Sequence, residues 1–167
     1  RRHIMETEEP WYPNGTFPYE KYRERFMALF QESLERELPV KKGVRELLEY
    51  LKEKQIKTAI ASSTKGPLVR KHLERTGLSG YFQEIVSGDM VEKSKPEPDI
   101  YLEVARRLKV DPEACLVFED IPEGILAGKR AGMTVIAMAD RFSEDMEKEK
   151  RDLADGFISD YRELLSR

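Results

Sequence analysis

The spacing of hydrophobic positions changes character along the chain. From Arg1 to Tyr19 there is no periodicity, and Pro10, Pro13, Asn14, Gly15 and Pro18 read as turns. From Tyr19 to Leu38, Tyr22, Phe26, Leu29 and Phe30 fall on one helical face opposite charged residues, and Pro39 ends the pattern. Pro39 to Gly43 reads as a short linker. Beyond it Val44, Leu47, Leu48 and Leu51 follow the i, i+3, i+4, i+7 rule of an amphipathic helix.

The remainder alternates. Strands are expected at Ile56 to Ala61, Phe82 to Val86, Cys115 to Phe118 and Thr134 to Ala139, with a short fifth at Gly156 to Ser159. Helices are expected at Pro67 to Thr76, closed by Gly77, at Pro98 to Leu108, and at Pro122 to Ala131, closed by Gly132. The charged stretch Phe142 to Leu153 also reads as helical. Strands and helices alternating at these lengths predict an α/β, Rossmann-like fold: a parallel sheet with helices on both faces. Ligands of such sheets sit beyond the carboxyl ends of the strands. That directs attention to Ser62-Ser63-Thr64, Asp89 and Glu119-Asp120.

Composition narrows the function classes. The 167 residues suit one domain with a small appendage, and 40% hydrophobic with 37% charged residues suits a real core under an ionised surface. A net charge of −3 supplies no basic field for nucleic acid. No apolar run is long enough to span a bilayer, and no secretory signal is visible. One cysteine, Cys115, and two histidines exclude a disulfide framework and a His/Cys zinc site. These features predict a cytoplasmic protein that binds neither nucleic acid nor membrane.

Glu119-Asp120 follows the apolar Leu116-Val117-Phe118 and precedes a helix. Adjacent carboxylates there either cap the helix or hold a hard divalent cation such as Mg²⁺. Lys95, within Ser94-Lys95-Pro96-Glu97-Pro98-Asp99, is held by two prolines; it is either delivered to a site or solvated. Ser62, Ser63 and Thr64, with Lys65 behind them, either cap the next helix or make an anion site at its N-terminus. Gly124, Ala127, Gly128 and Ala131 form a small-residue stripe suited to packing on the sheet. His72 reads as a helix-surface residue and Cys115 as a buried strand residue.

Taken together, Ala61-Ser62-Ser63-Thr64-Lys65, Ser94-Lys95-Pro96-Glu97-Pro98-Asp99-Ile100-Tyr101 and Val117-Phe118-Glu119-Asp120 with Gly124 resemble the last three motifs of the haloacid dehalogenase superfamily, in order and in spacing. The branch they resemble contains β-phosphoglucomutase and small phosphate-ester phosphatases. The resemblance begins near Pro39. It implies that Ser62, with Ser63, binds the transferring phosphoryl group of a small phosphorylated metabolite and that Lys95 bridges that group and the nucleophile. It also implies that Asp120 ligates Mg²⁺ directly and Glu119 through water. On this reading residues 1–39 are part of a helical cap and residues 40–167 the α/β core. Ile121 stands where relatives usually carry serine, so one hydroxyl near the metal is lost.

The superfamily's first motif, Asp-x-Asp-Gly-Thr/Val, which supplies the nucleophile, does not occur in the sequence. Gly88-Asp89-Met90 lies in the wrong place and lacks the second aspartate. In the family that motif ends a central strand, flanked by the strands expected here at Ile56 to Ala61 and Cys115 to Phe118. The chain starts Arg1-Arg2-His3-Ile4, not at Met5. The expectation is a Mg²⁺-dependent phosphohydrolase acting through an aspartyl-phosphate, whose nucleophile lies on an upstream segment; this chain alone is expected to be inactive. If that segment is absent, the open sheet invites a strand-pairing partner or self-association. The rivals are a phosphosugar mutase of the same branch and a non-catalytic binding or scaffold protein.

Overall fold

The computed structural model describes residues 22–25 and 39–165. The chain divides into two units, Arg1–Leu38 and Pro39–Arg167. Of the first, residues 22–25 are helical; the rest of the helix expected from Tyr19 to Leu38, and with it the cap reading, lies outside the described residues.

In the second unit five strands alternate with five helices. The strands are β1 (Ala59–Ser62), β2 (Glu84–Ser87), β3 (Leu116–Glu119), β4 (Thr134–Met138) and β5 (Gly156–Ile158). The helices are α1 (Val44–Glu53), α2 (Gly66–Thr76), α3 (Asp99–Leu108), α4 (Pro122–Arg130) and α5 (Glu147–Leu153). All pairing is parallel: β1 with β2, and β3 with β4 and β4 with β5. Among the described residues the strands therefore form a two-stranded and a three-stranded sheet, with no ladder between β1 and β3.

Side chains alternate across these sheets with the period of two that a strand imposes. Ala61 and Val86 join Ile100, Tyr101, Val117, Ile125, Ala127 and Val135 in one apolar cluster, on the side of α3 and α4. Their neighbours Ile60 and Ile85 turn the other way, to Leu48, Leu73 and Leu78 on the side of α1 and α2. Helices thus cover both faces, as the alternation of elements predicts. The first cluster draws on both sheets, so one core spans the unpaired edges. The small-residue stripe of α4 packs as expected at Gly128, where a Cβ would come within 2.7 Å of Val135.

Three local expectations are corrected. β1 starts at Ala59 rather than Ile56, because Gln55 leaves α1 with a positive φ of 56° and Ile56 stays exposed. Cys115 is half-buried and lies just before β3, its Sγ 3.3 Å from the Asp111 carbonyl. Burial, followed by the charge of Asp111, pushes its thiol pKa up. The helix expected from Phe142 to Leu153 is two elements, a 3₁₀ segment Arg141–Met146 and then α5. The Asp140 carboxylate accepts from the Phe142 N–H to start the first, and non-helical geometry at Ser143 kinks it.

The C-terminal 3₁₀ segment Tyr161–Leu164 returns to the linker. The Tyr161 N–H donates to the Lys42 carbonyl at 3.1 Å. Gly43, at φ 77°, lies under this segment, and a Cβ there would come within 2.6 Å of the Arg162 backbone nitrogen. Only glycine suits both the φ and the space.

Candidate active site

The two capping explanations fail on geometry. The N-cap of α2 is Lys65 and that of α4 is Ile121, and neither position has a side-chain cap. The Ser62 hydroxyl instead accepts from the Thr64 N–H at 3.1 Å, in the turn that ends β1. Ser62 is half-buried and Ser63 exposed, so both hydroxyl-bearing residues reach the mouth of the sheet. Asp89, the remaining aspartate at a strand end, is exposed beyond β2.

Lys95 spans the gap between the sheets. Its Nζ lies 3.4 Å from the Ala61 carbonyl at the end of β1 and forms an ion pair with Glu119 Oε1 at the end of β3. Glu119 is buried, with 8% of its side chain exposed, and Lys95 is mostly covered, with 9% exposed. The Tyr101 hydroxyl, from α3, donates to the same Glu119 oxygen, and the Lys95 ammonium lies 4.9 Å from the Tyr101 ring centre. Burial first, and then the Glu119 carboxylate, raise the Tyr101 pKa far above that of a free phenol, so it stays a donor. The loop carrying Lys95 is itself held: Arg130 at the end of α4 donates to the Pro96 carbonyl at 3.0 Å and pairs with Glu97 at 2.9 Å. Gly124 makes the cluster possible, because a Cβ there would collide with the Glu119 carboxylate.

Asp120 takes another course. Its half-exposed carboxylate pairs with Lys41 of the linker at 3.2 Å, and the same ammonium pairs with Asp140 after β4. Burial pushes the Asp140 carboxyl upward, but Lys41, the Phe142 N–H and Lys150 outweigh it and hold its pKa below the usual range. Tyr161, edge-on to Phe118 with ring centres 5.1 Å apart, completes the floor. Burial, then Asp120 and Glu119, push its pKa up to about 12.

The structure therefore brings Lys95 and Glu119 into contact, with Ser62 and Ser63 ending β1 on one side and Asp120 following β3 on the other. Sequence reasoning missed Lys41, Tyr101, Asp140, Ser143 and Lys150. Tyr101 was within reach, in the same string as Lys95. The other four lie far from the motifs in sequence and carry no local signal.

No group of three His, Cys, Asp or Glu side chains gathers among the described residues, so they form no all-protein metal cage. Magnesium does not require one: it keeps several waters and is held by one or two carboxylates with substrate phosphate. Asp120 fits that pattern, since its carboxylate is half-exposed and already faces a cation. Glu119 Oε1 is engaged by Lys95 and Tyr101.

The chain belongs to the haloacid dehalogenase-like hydrolases, whose family pattern matches residues 5–138. Among curated proteins it is 48% identical over 91 residues to the phosphorylated carbohydrates phosphatase of Thermotoga maritima, covering 54% of this chain and 42% of that protein. It is 33% identical over 130 residues to hexitol phosphatase B of Escherichia coli strain K12, covering 78% of this chain and 57% of the relative. The chain thus spans about half the length of these curated relatives. Among solved structures, CbbY from Rhodobacter sphaeroides in complex with phosphate matches with a TM-score of 0.74 at 29% identity, over 98% of this chain and 72% of that one. β-Phosphoglucomutase from Clostridium difficile matches with a TM-score of 0.74 over 90% and 66%; at 24% identity it speaks for the fold alone. Among the described residues no helix is long and apolar enough to cross a membrane.

Proposed function

We propose that this chain carries the phosphate- and Mg²⁺-binding half of a phosphohydrolase acting on a small phosphate ester. The observation that carries the reading is the position of Lys95, whose ammonium joins the hydroxyl-bearing end of β1 to the carboxylate-bearing end of β3. The phosphorylated-carbohydrate and hexitol phosphatases among its relatives make a phosphorylated sugar or sugar alcohol the favoured substrate.

Ser62, with Ser63 beside it, donates to the phosphoryl oxygens at the N-terminal end of α2, where backbone N–H groups already favour an anion. Lys95 opposes the charge of the phosphoryl group; at an effective dielectric of about 20, one charge ~4 Å from another is worth about 4 kcal/mol. Glu119 and Tyr101 keep that ammonium in place. Asp120 would hold Mg²⁺, which supplies charge neutralisation on the phosphoryl oxygens. The attacking carboxylate lies outside these 167 residues, on a strand pairing between β1 and β3. Its oxygen bonds to phosphorus as the bond from phosphorus to the ester oxygen breaks, and the departing oxygen takes its proton from a solvent water. Water then attacks the phosphorus, which releases orthophosphate and restores the carboxylate.

Calorimetry with orthophosphate and Mg²⁺, alongside a phosphate-release screen of sugar phosphates, tests this. The chain is expected to bind orthophosphate, to lose that binding in Ser62→Ala without unfolding, and to release no phosphate by itself. A longer protein containing this chain and the missing carboxylate is expected to hydrolyse phosphate esters in the presence of Mg²⁺. Absence of orthophosphate binding, or turnover by the chain alone, contradicts the proposal. Isomerised sugar phosphate in place of released phosphate identifies a mutase.

A further inference from the structure

α5 places its charged residues in two different environments. Lys148 and Arg151 lie on the surface and pair within the helix with Asp152 and Glu147. Lys150, from the same turn, is 0% exposed. Among the described residues no carboxylate lies within ion-pairing distance of it. Its Nζ donates to the Met138 carbonyl at the end of β4, at 3.1 Å, and to the Ser143 hydroxyl at 2.9 Å, with the Phe157 ring centre 5.9 Å away. An ammonium buried against neutral acceptors is costly, and an apolar residue would fill the same volume without that cost.

What an apolar residue would not do is orient Ser143. A lysine only donates, so the serine oxygen must accept from it, and the single hydroxyl proton points elsewhere. It points to the Asp120 carbonyl, at 2.6 Å. Ser143 is itself buried, and its non-helical φ of −131° and ψ of 29° mark the kink in the 3₁₀ segment. The chain of donors runs one way only, from Lys150 through Ser143 to the backbone of Asp120. Met138 fixes its far end on β4.

We infer that Lys150 and Ser143 are positioning residues for Asp120: the buried ammonium sets the Ser143 hydroxyl, which anchors the Asp120 backbone and holds its carboxylate at the tip of β3. The inference rests on the reading of Asp120 as the Mg²⁺-binding carboxylate. Asp140, the neighbouring carboxylate that feels the Lys150 charge, is tied separately by Lys41. Partners one step removed from a metal commonly change its affinity 10- to 100-fold, the range expected of this relay.

The test uses the full chain in calorimetric titrations with Mg²⁺ and, separately, with orthophosphate, each variant first being melted without metal. Ser143→Ala is expected to melt cooperatively, to weaken Mg²⁺ binding about tenfold, and to leave orthophosphate binding unchanged. Ser143→Thr, which keeps the hydroxyl, is expected to restore Mg²⁺ binding, and Lys150→Met to weaken it as Ser143→Ala does. If Lys150→Met does not fold, the two Ser143 variants decide. Mg²⁺ affinity unchanged in Ser143→Ala overturns the inference, as does an equal loss of Mg²⁺ and orthophosphate binding, which marks general damage. Wild-type chain that takes up no Mg²⁺, or Asp120→Asn that binds it equally well, overturns the metal reading and this inference with it.

Discussion

The two sheets end in opposite chemistry. β1 leads into hydroxyls, Ser62, Ser63 and Thr64, and all four of its residues are only partly buried. β3 leads into carboxylates, Glu119 and Asp120, and its neighbour β4 buries Val135 and Ala137 completely. At the acid end cations arrive from three directions: Lys95 from the loop before α3, Lys41 from the linker, and Lys150 from α5. At the hydroxyl end Ser62 Oγ accepts from the Thr64 N–H within a local turn. The difference teaches that the carboxylates are costly to the fold and need elaborate support, whereas the hydroxyls cost little and stay available to a ligand.

Substitution should therefore act on stability at one end and on binding at the other. The largest effect is expected from Lys95→Ala, which leaves the Glu119 charge buried with Tyr101 as its remaining described partner. A loss of about 3–5 kcal/mol is expected in urea unfolding, against almost none for Ser62→Ala. Equal losses at the two positions would erase the contrast.

Gly124→Ala sharpens it within the acid end. A Cβ there displaces Glu119, whereas one at Gly128 presses on Val135. Each should cost about 1–3 kcal/mol of stability, but only Gly124→Ala should also weaken orthophosphate binding, because it moves the partner of Lys95. Calorimetry on both variants separates packing from site geometry.

The smallest effect concerns acid. The Asp140 pKa is depressed in the folded chain, so its contribution is present above the unfolded value near ~3.9 and is lost as pH falls through the folded value. Asp140→Asn should flatten the acid limb of the stability profile by up to ~1 kcal/mol, read from melting temperatures between neutral pH and strongly acid solution. An unchanged acid limb would remove Lys41 and Asp140 from the supports of this end.

Much of this was legible in the sequence, for a physical reason. Strand tips announce themselves where an apolar run stops, so the sequence alone places Ser62, Glu119 and Asp120. Lys95 was legible through the two prolines that stiffen its loop. Lys150 was not: within Glu147-Lys148-Glu149-Lys150-Arg151 it looks like one more solvated charge, and only the packing of α5 against the 3₁₀ segment, the end of β4 and Phe157 of β5 buries it. Lys41, beside Lys42 and Gly43, is equally anonymous. Cys115 misled because an apolar neighbourhood in sequence does not fix which residue begins the ladder. Glu119 and Asp120 look equivalent in sequence, yet β3 points one into the core toward Tyr101 and leaves the other at the surface.

The sequence by itself determined the alternation of strands and helices, the family, and the residues at the ends of β1 and β3, because these rest on local periodicity and short motifs. The tertiary structure decided which cation meets which carboxylate. Those pairings join residues far apart in the chain, Lys41 to Asp140 and Lys95 to Glu119, and packing alone brings them within reach.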